Sequence, residues 1–284
     1  MLASGNSKLE QYRDRSMRQS GGRNRKVPII AYTAQKGGVG KSTLAMNTAA
    51  AFSILGYRVL VVDTDEHQAS IRDACSQRDD SNITAICIQT KSLVKELSKP
   101  QLKEGVDIII IDGEGSMHAA SRAAIEICDY FVVPLQPSQF DLNSYARYIS
   151  SVIEPVAAYR ELEGGVVLNR TGSNASTRAT REALSEYVLP IFDVDIMESD
   201  SFREAGGIGL CITEYRPKIK VSKVFFNFFV ELCDAVGIKL KRMSFEEFKK
   251  RSLLKRTKSK EKSHAAKEEN IGTKTSTSEL RTWQ

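Results

Sequence analysis

No apolar run in this sequence approaches the ~20 residues needed to cross a bilayer, so a spanning helix is not expected. The Arg and Lys near the N-terminus are not followed by an apolar core or a small-residue cleavage site, so a secretory leader is not expected either. None of the five cysteines, Cys75, Cys87, Cys128, Cys211 and Cys233, stands in a C-x-x-C pair, and most lie in apolar surroundings such as ITAICI and AIEICDY. That usage reads as buried, reduced thiols in a cytoplasmic protein rather than as a metal site or disulfide framework. There is no internal repeat.

What is present is an uneven distribution of charge. Residues 1–26 hold seven Lys/Arg against two Asp/Glu, and residues 239–284 hold fourteen against six. Within an overall +6, the intervening 27–238 therefore carries minus seven. Two basic arms are expected, the first disordered and the second partly helical and then disordered, around an acidic body. Such arms often contact nucleic acid or another anionic surface. They lack interleaved aromatics, so base stacking is not indicated.

From Val27 onward, apolar β-branched runs alternate with helix-like segments. VPIIAYT (27–33), YRVLVVD (57–63), NITAICI (82–88), VDIIIID (106–112), DYFVVPL (129–135) and GGVVLN (164–169) read as strands buried on both faces, and PIFDVDI (189–195) as a weaker last strand. Helices are expected over 41–56, 90–98, 117–127, 138–160, 174–187 and 217–237. The alternation predicts an α/β fold, a doubly wound, mostly parallel sheet with helices on both faces. Ligands in such sheets sit at the carboxyl ends of the strands.

At the end of the first run stands QKGGVGKST (35–43). Gly37, Gly38 and Gly40, with Val39 between them, can turn successive backbone N–H groups inward as a phosphate cradle, and the following helix adds its positive end. In such a loop Lys41 reaches the β/γ-phosphates, Ser42 ligates Mg²⁺, and Thr43 is placed for the α-phosphate. The position that carries glycine in the ordinary pattern is Gln35, followed by Lys36. Asp112, closing a strand of four isoleucines, can hold Mg²⁺ through water; capping the next helix is the plainer role for such a carboxylate.

K-G-G-x-G-K-[ST] resembles the deviant phosphate loop of the ParA/MinD family of P-loop ATPases. That resemblance implies ATP and Mg²⁺ as ligands and a homodimer formed on ATP, in which Lys36 reaches the partner's phosphates. VVDTDEHQAS (61–70) resembles the family's D-x-D-P-Q run, with Asp63 supporting the Mg²⁺ shell and Asp65 orienting the attacking water. Glu66-His67 stands where the family has Pro-Gln, which bears on the hydrolysis rate. VVLNR (166–170) resembles the segment whose Asn, here Asn169, contacts adenine. D-G-E-G-S (112–116) and SFREAGGIGLCITEYRP (201–217) resemble the compact, plasmid-type ParA branch, and the resemblance covers residues 27–236.

Carried over, these likenesses imply a slow, partner-stimulated ATP hydrolase. It would bind DNA without sequence preference through Arg203, Arg216, Lys218, Lys220 and Lys223. It would act with a ParB-type adaptor or centromere-binding protein, on the nucleoid in the cytoplasm, to move a plasmid or conjugative element. Two rivals share the loop. A MinD-like membrane-surface ATPase would use FEEFKKRSLLKR (245–256), with Phe245, Phe248, Leu253 and Leu254 as its lipid face. A redox ATPase of the nitrogenase iron-protein type needs a cysteine after Asp112, where Gly-Glu-Gly-Ser stands.

Overall fold

A computed structural model describes residues 27–65, 70–78, 80–115, 118–172, 174–240 and 243–257. The arm 1–26, the Glu66-His67 pair and the segment 258–284 lie outside the described residues. Seven strands form one parallel sheet in the order β3-β2-β4-β1-β5-β6-β7. They are β1 (Ile29–Tyr32), β2 (Val59–Asp63), β3 (Ile83–Cys87), β4 (Ile108–Asp112), β5 (Tyr130–Leu135), β6 (Gly164–Thr171) and β7 (Ile196–Met197). The four strands β2, β4, β1 and β5 are buried on both faces, which is why they are nearly unbroken apolar runs. Side chains alternate across the sheet: Ile108 and Ile110 enter one core, Ile109 and Ile111 the other.

The first core lies under helix α1 (Lys41–Ile54). Apart from Ser42 and Thr43, every residue of α1 is buried, because the helix is covered from outside by further helices. Its Ala49-Ala50-Ala51 run lets neighbours approach closely. The other face is covered by α5 (His118–Ile127) and by α6 (Gln139–Tyr148), which continues through one π turn (Ile149–Ile153) into α7 (Glu154–Ala157). Pro155 cannot donate the usual backbone hydrogen bond, which accounts for the widened turn before it. The short helix α2 (Ser70–Ser76) lies beside β3, while α3 (Leu93–Leu97) packs on α5 and against α4 (Pro100–Lys103). The last part of the described chain adds α8 (Asn174–Leu184), α9 (Asp200–Gly207), α10 (Ile212–Tyr215) and α11 (Lys220–Ala235).

Two expectations are corrected. The last strand is not 189–195. Residues 190–192 make only an isolated bridge to Val166, and β7 comes later, at Ile196–Met197. Arg181 takes the carbonyl of Phe192, and Glu231 takes the N–H groups of Asp193 and Val194, so the chain leaves the sheet there. The packed body also continues past 238. Residues 245–257 form a helix, hereafter the C-terminal helix, whose Phe248 is fully buried between Phe226 and Phe229, at ring distances of 5.1 and 5.9 Å. Among the described residues no helix is long and apolar enough to cross a membrane.

A buried ionic cluster ties this end together. Arg78 donates to both carboxylate oxygens of Glu214 (2.6 and 2.9 Å) and to Asp80 (2.8 Å). Lys255 of the C-terminal helix reaches Asp80 at 3.0 Å and the carbonyl of Ser53, near the end of α1, at 2.6 Å. Burial works against the Asp80 carboxylate, but Arg78, Ser53 and Lys255 outweigh it and hold its pKa at about 2.

Candidate nucleotide site

The parallel sheet directs β1, β2 and β4 to end side by side, and the candidate residues follow from those three ends. After β1 the chain makes the turn 33–40 and enters α1. Gly38 and Gly40 have φ of 77° and 103°, the left-handed region. Gly40 also has no room for a side chain: a Cβ there would lie 2.2 Å from Asn169 Nδ2. That crowding is purposeful, because Asn169 Nδ2 donates to the Val39 carbonyl at 2.7 Å and so pins the loop to β6. The next residue, Arg170, is the one non-glycine residue with positive φ among those described.

Lys41 opens α1 and is buried, with Nζ 3.4 Å from the Lys36 carbonyl, curled within the turn of its own loop. The loop after β4 closes over it: a Cβ on Gly115 would stand 2.5 Å from Lys41 Nζ and 3.1 Å from Gly37 Cα. Burial pushes the Lys41 pKa down, and Asp112, Asp65 and Glu114 act against that shift.

Asp63 and Asp112 are register partners on adjacent strands β2 and β4. Both are buried, and Asp63 Oδ2 and Asp112 Oδ1 have no hydrogen-bond partner among the described residues. Burial raises Asp112 to about 7, opposed by a hydrogen bond from the Ser42 hydroxyl and reinforced by Asp63. Burial likewise raises Asp63 to about 6, opposed by the Asp65 N–H, which donates to Asp63 Oδ1 at 2.9 Å. Two orphaned carboxylate oxygens beside a serine hydroxyl are the oxygen donors a hard cation takes, and they fit Mg²⁺ held partly through water. Asp65 follows β2 at the rim, half-buried.

Two residues of this site were missed in the sequence. Thr64 donates its N–H and its hydroxyl to the Asp112 carbonyl, both at 3.1 Å, and accepts the Glu114 N–H at 2.8 Å, locking the ends of β2 and β4 together. Asp141 on α6 binds Lys36 Nζ through both oxygens, at 3.0 and 3.2 Å, and also accepts from the Ser138 hydroxyl. The carboxylate is buried, whereas the Lys36 side chain is 45% exposed.

The basic residues expected for DNA divide. Arg203 lines a cleft with Gly40, Thr43, Asn169 and Phe202 and pairs with Asp200. It belongs beside the nucleotide loop rather than with the others. Arg216 lies 3.8 Å from Glu204 and stacks on Tyr215, while Lys218, Lys220 and Lys223 are exposed along the start of α11. The cysteines are free, and Cys128, Cys211 and Cys233 are buried.

The fold has counterparts among solved structures. MinD from Pyrococcus horikoshii, solved with Mg-ADP, superposes with a TM-score of 0.58 at 21% identity, over 76% of this chain and 100% of that one. A putative plasmid partition protein from Borrelia burgdorferi, solved with AMPPNP, gives a TM-score of 0.58 at 19% identity, over 74% and 99%. At such identities the likeness is one of fold. In sequence, the maintenance of carboxysome distribution protein A of Halothiobacillus neapolitanus is 26% identical over 63% of this chain and 84% of its own. The chromosome-partitioning ATPase Soj of Thermus thermophilus is 26% identical over 68% of this chain and 90% of its own. The family model for the CobQ/CobB/MinD/ParA nucleotide-binding domain matches residues 30–210, well over half the chain, and the chain belongs to that family.

Proposed function

We propose that the protein is an ATP hydrolase that works as a dimerisation switch. Two copies close face to face on ATP and Mg²⁺, the closed pair holds DNA without sequence preference, and a ParB-type adaptor triggers slow hydrolysis and release. The cargo on this reading is a plasmid or conjugative element, moved over the nucleoid in the cytoplasm.

The roles follow from the charges and their positions. Lys41 and the N–H groups of the 37–43 turn take the phosphates, with Thr43 at the α-phosphate. Ser42, Asp63 and Asp112 hold Mg²⁺, which screens the phosphate charge when bound. Asp65, at the rim, orients the attacking water, and Asn169 faces the adenine side of the loop.

The observation that carries the reading is the position of Lys36. Its ammonium rests on Asp141 of α6, with the lysine side chain 45% exposed. An exposed cation stationed there can neutralise phosphoryl charge on a second molecule, as an arginine finger does in trans. It has to leave Asp141 to do so, which supports a link between pairing and turnover. A membrane-surface mode finds less support, because Phe248 is spent on the core and Phe245 packs against Phe226.

The test is the ATPase rate with DNA present. Lys36→Ala is expected to lose stimulated turnover, Lys41→Ala to lose nucleotide binding, and Asp65→Ala to pair on ATP without hydrolysing it. Full stimulated turnover in Lys36→Ala would remove the trans role.

A further inference from the structure

We propose that the C-terminal helix, 245–257, is part of the duplex-DNA contact surface and forms one basic face with the segment 216–223. The inference rests on the DNA reading above and adds an element that lies outside the family-matched stretch 30–210.

The helix is held rigidly. Phe248 is buried against α11, and Ser252 and Thr213 hydroxyls pair at 3.1 Å. Lys255 is neutralised inside by Asp80. Arg256 donates to the carbonyls of Glu214 and Tyr215 at 2.7 and 3.3 Å, the two residues that precede Arg216. Phe245 and Phe248 lie beside Phe226 of α11, while Arg256 lies beside Tyr215, so the helix spans from α11 to α10. Its last turn therefore ends beside Tyr215, the residue before Arg216.

Of the cations on the described helix, Lys250 alone has neither an ion pair nor a hydrogen bond among the described residues. Glu246 and Glu247 pair with Lys249 and Arg251 in the first turns, and no acidic residue follows in the described helix. Lys250, Lys218, Lys220 and Lys223 are exposed and have no ion pair or hydrogen bond among the described residues. Exposed, unpaired cations on two adjoining elements of a body that is otherwise acidic are the footprint of an external polyanion. Duplex DNA fits better than a lipid surface. With Phe248 in the core, only Leu253 and Leu254 stay exposed, and two adjacent leucines do not make the apolar stripe an interfacial helix needs.

The full chain with ATP and Mg²⁺ is titrated onto a random-sequence duplex at several salt concentrations, and thermal unfolding of each variant controls for folding. Replacing Lys250 and Arg251 by Ala is expected to weaken binding on the order of tenfold, and to flatten the log–log salt slope by about 0.9 for each phosphate no longer neutralised. Lys218→Ala with Lys220→Ala should act in the same direction, and Lys250→Arg should keep wild-type binding. If wild-type protein does not bind duplex at all, the DNA reading itself fails. If it binds, and the Lys250/Arg251 replacements leave affinity and slope unchanged while the Lys218/Lys220 replacements weaken both, the helix is not part of the surface. Lys250/Arg251 replacements that abolish binding to phosphatidylglycerol vesicles and leave duplex binding intact would overturn the assignment in favour of a lipid surface.

Discussion

Asp112 and Asp63 are buried at the ends of β4 and β2, each with one carboxylate oxygen lacking a hydrogen-bond partner among the described residues, and this gives the nucleotide-free protein a stability that depends on pH. Both groups are raised in the fold, to about 7 and about 6. A carboxyl whose folded pKa is raised binds more protons folded than unfolded, so stability falls as pH rises from about 4 towards 7. Each unit of displacement is worth about 1.4 kcal/mol. Asp112→Asn is therefore predicted to be more stable than wild type at pH 8 in urea unfolding without nucleotide, with the difference vanishing near pH 4. Asp80 behaves in the opposite way: held at about 2, it contributes stability above pH 4 that is lost as pH falls through 2. Gly40→Ala should cost about 1–3 kcal/mol and weaken nucleotide binding, because φ of 103° and the 2.2 Å approach to Asn169 leave no place for a methyl group. At this scale the glycine turn 37–40 leading into Lys41 is legible in the sequence, since its residues are contiguous. Thr64 and Asp141 were not: Asp141 meets Lys36 across 105 positions of sequence, and only the sheet brings them together.

At the scale of elements, the sequence disguised not the C-terminal helix itself but its packing into the body. Charged residues dominate 239–284, yet Phe245, Phe248 and Ser252 recur at three- and four-residue spacing on one face, and that face packs on α11. The same phenylalanines suit a lipid face equally well, and sequence periodicity alone does not separate the two. Strands β1, β2, β4 and β5 could be read directly because burial on both faces demands uninterrupted apolar runs. The apolar alternation of 189–195 misled for the opposite reason, as Arg181 and Glu231 draw its backbone away from the sheet. Phe248→Ala is predicted to cost about 3–5 kcal/mol by the cavity it opens. Arg78→Ala should cost a similar ~3–5 kcal/mol by leaving Glu214 buried without its partner. Lys255→Ala should cost less, since Asp80 retains Arg78. Denaturant midpoints of the three variants rank these effects, and an Arg78→Ala protein as stable as wild type would show that the buried ion cluster contributes nothing.

For the whole molecule, the parallel sheet gathers two buried carboxylates, one buried lysine and the phosphate loop at one end, and leaves Lys36 exposed there on Asp141. The basic elements lie on α11 and the C-terminal helix, tied to the far end of α1 through Lys255 and Ser53. The candidate nucleotide site at the start of α1 and the proposed polyanion surface near its end are thus connected by one buried helix. The central claim is that triphosphate occupancy and pairing of two molecules are one event. Sedimentation velocity of the full chain with ADP or with a non-hydrolysable ATP analogue, in wild type and Lys36→Ala, tests it most directly. A dimer in wild type with the analogue alone, weakened by Lys36→Ala, is the predicted result, and a wild-type protein that stays monomeric when saturated with the analogue would contradict it.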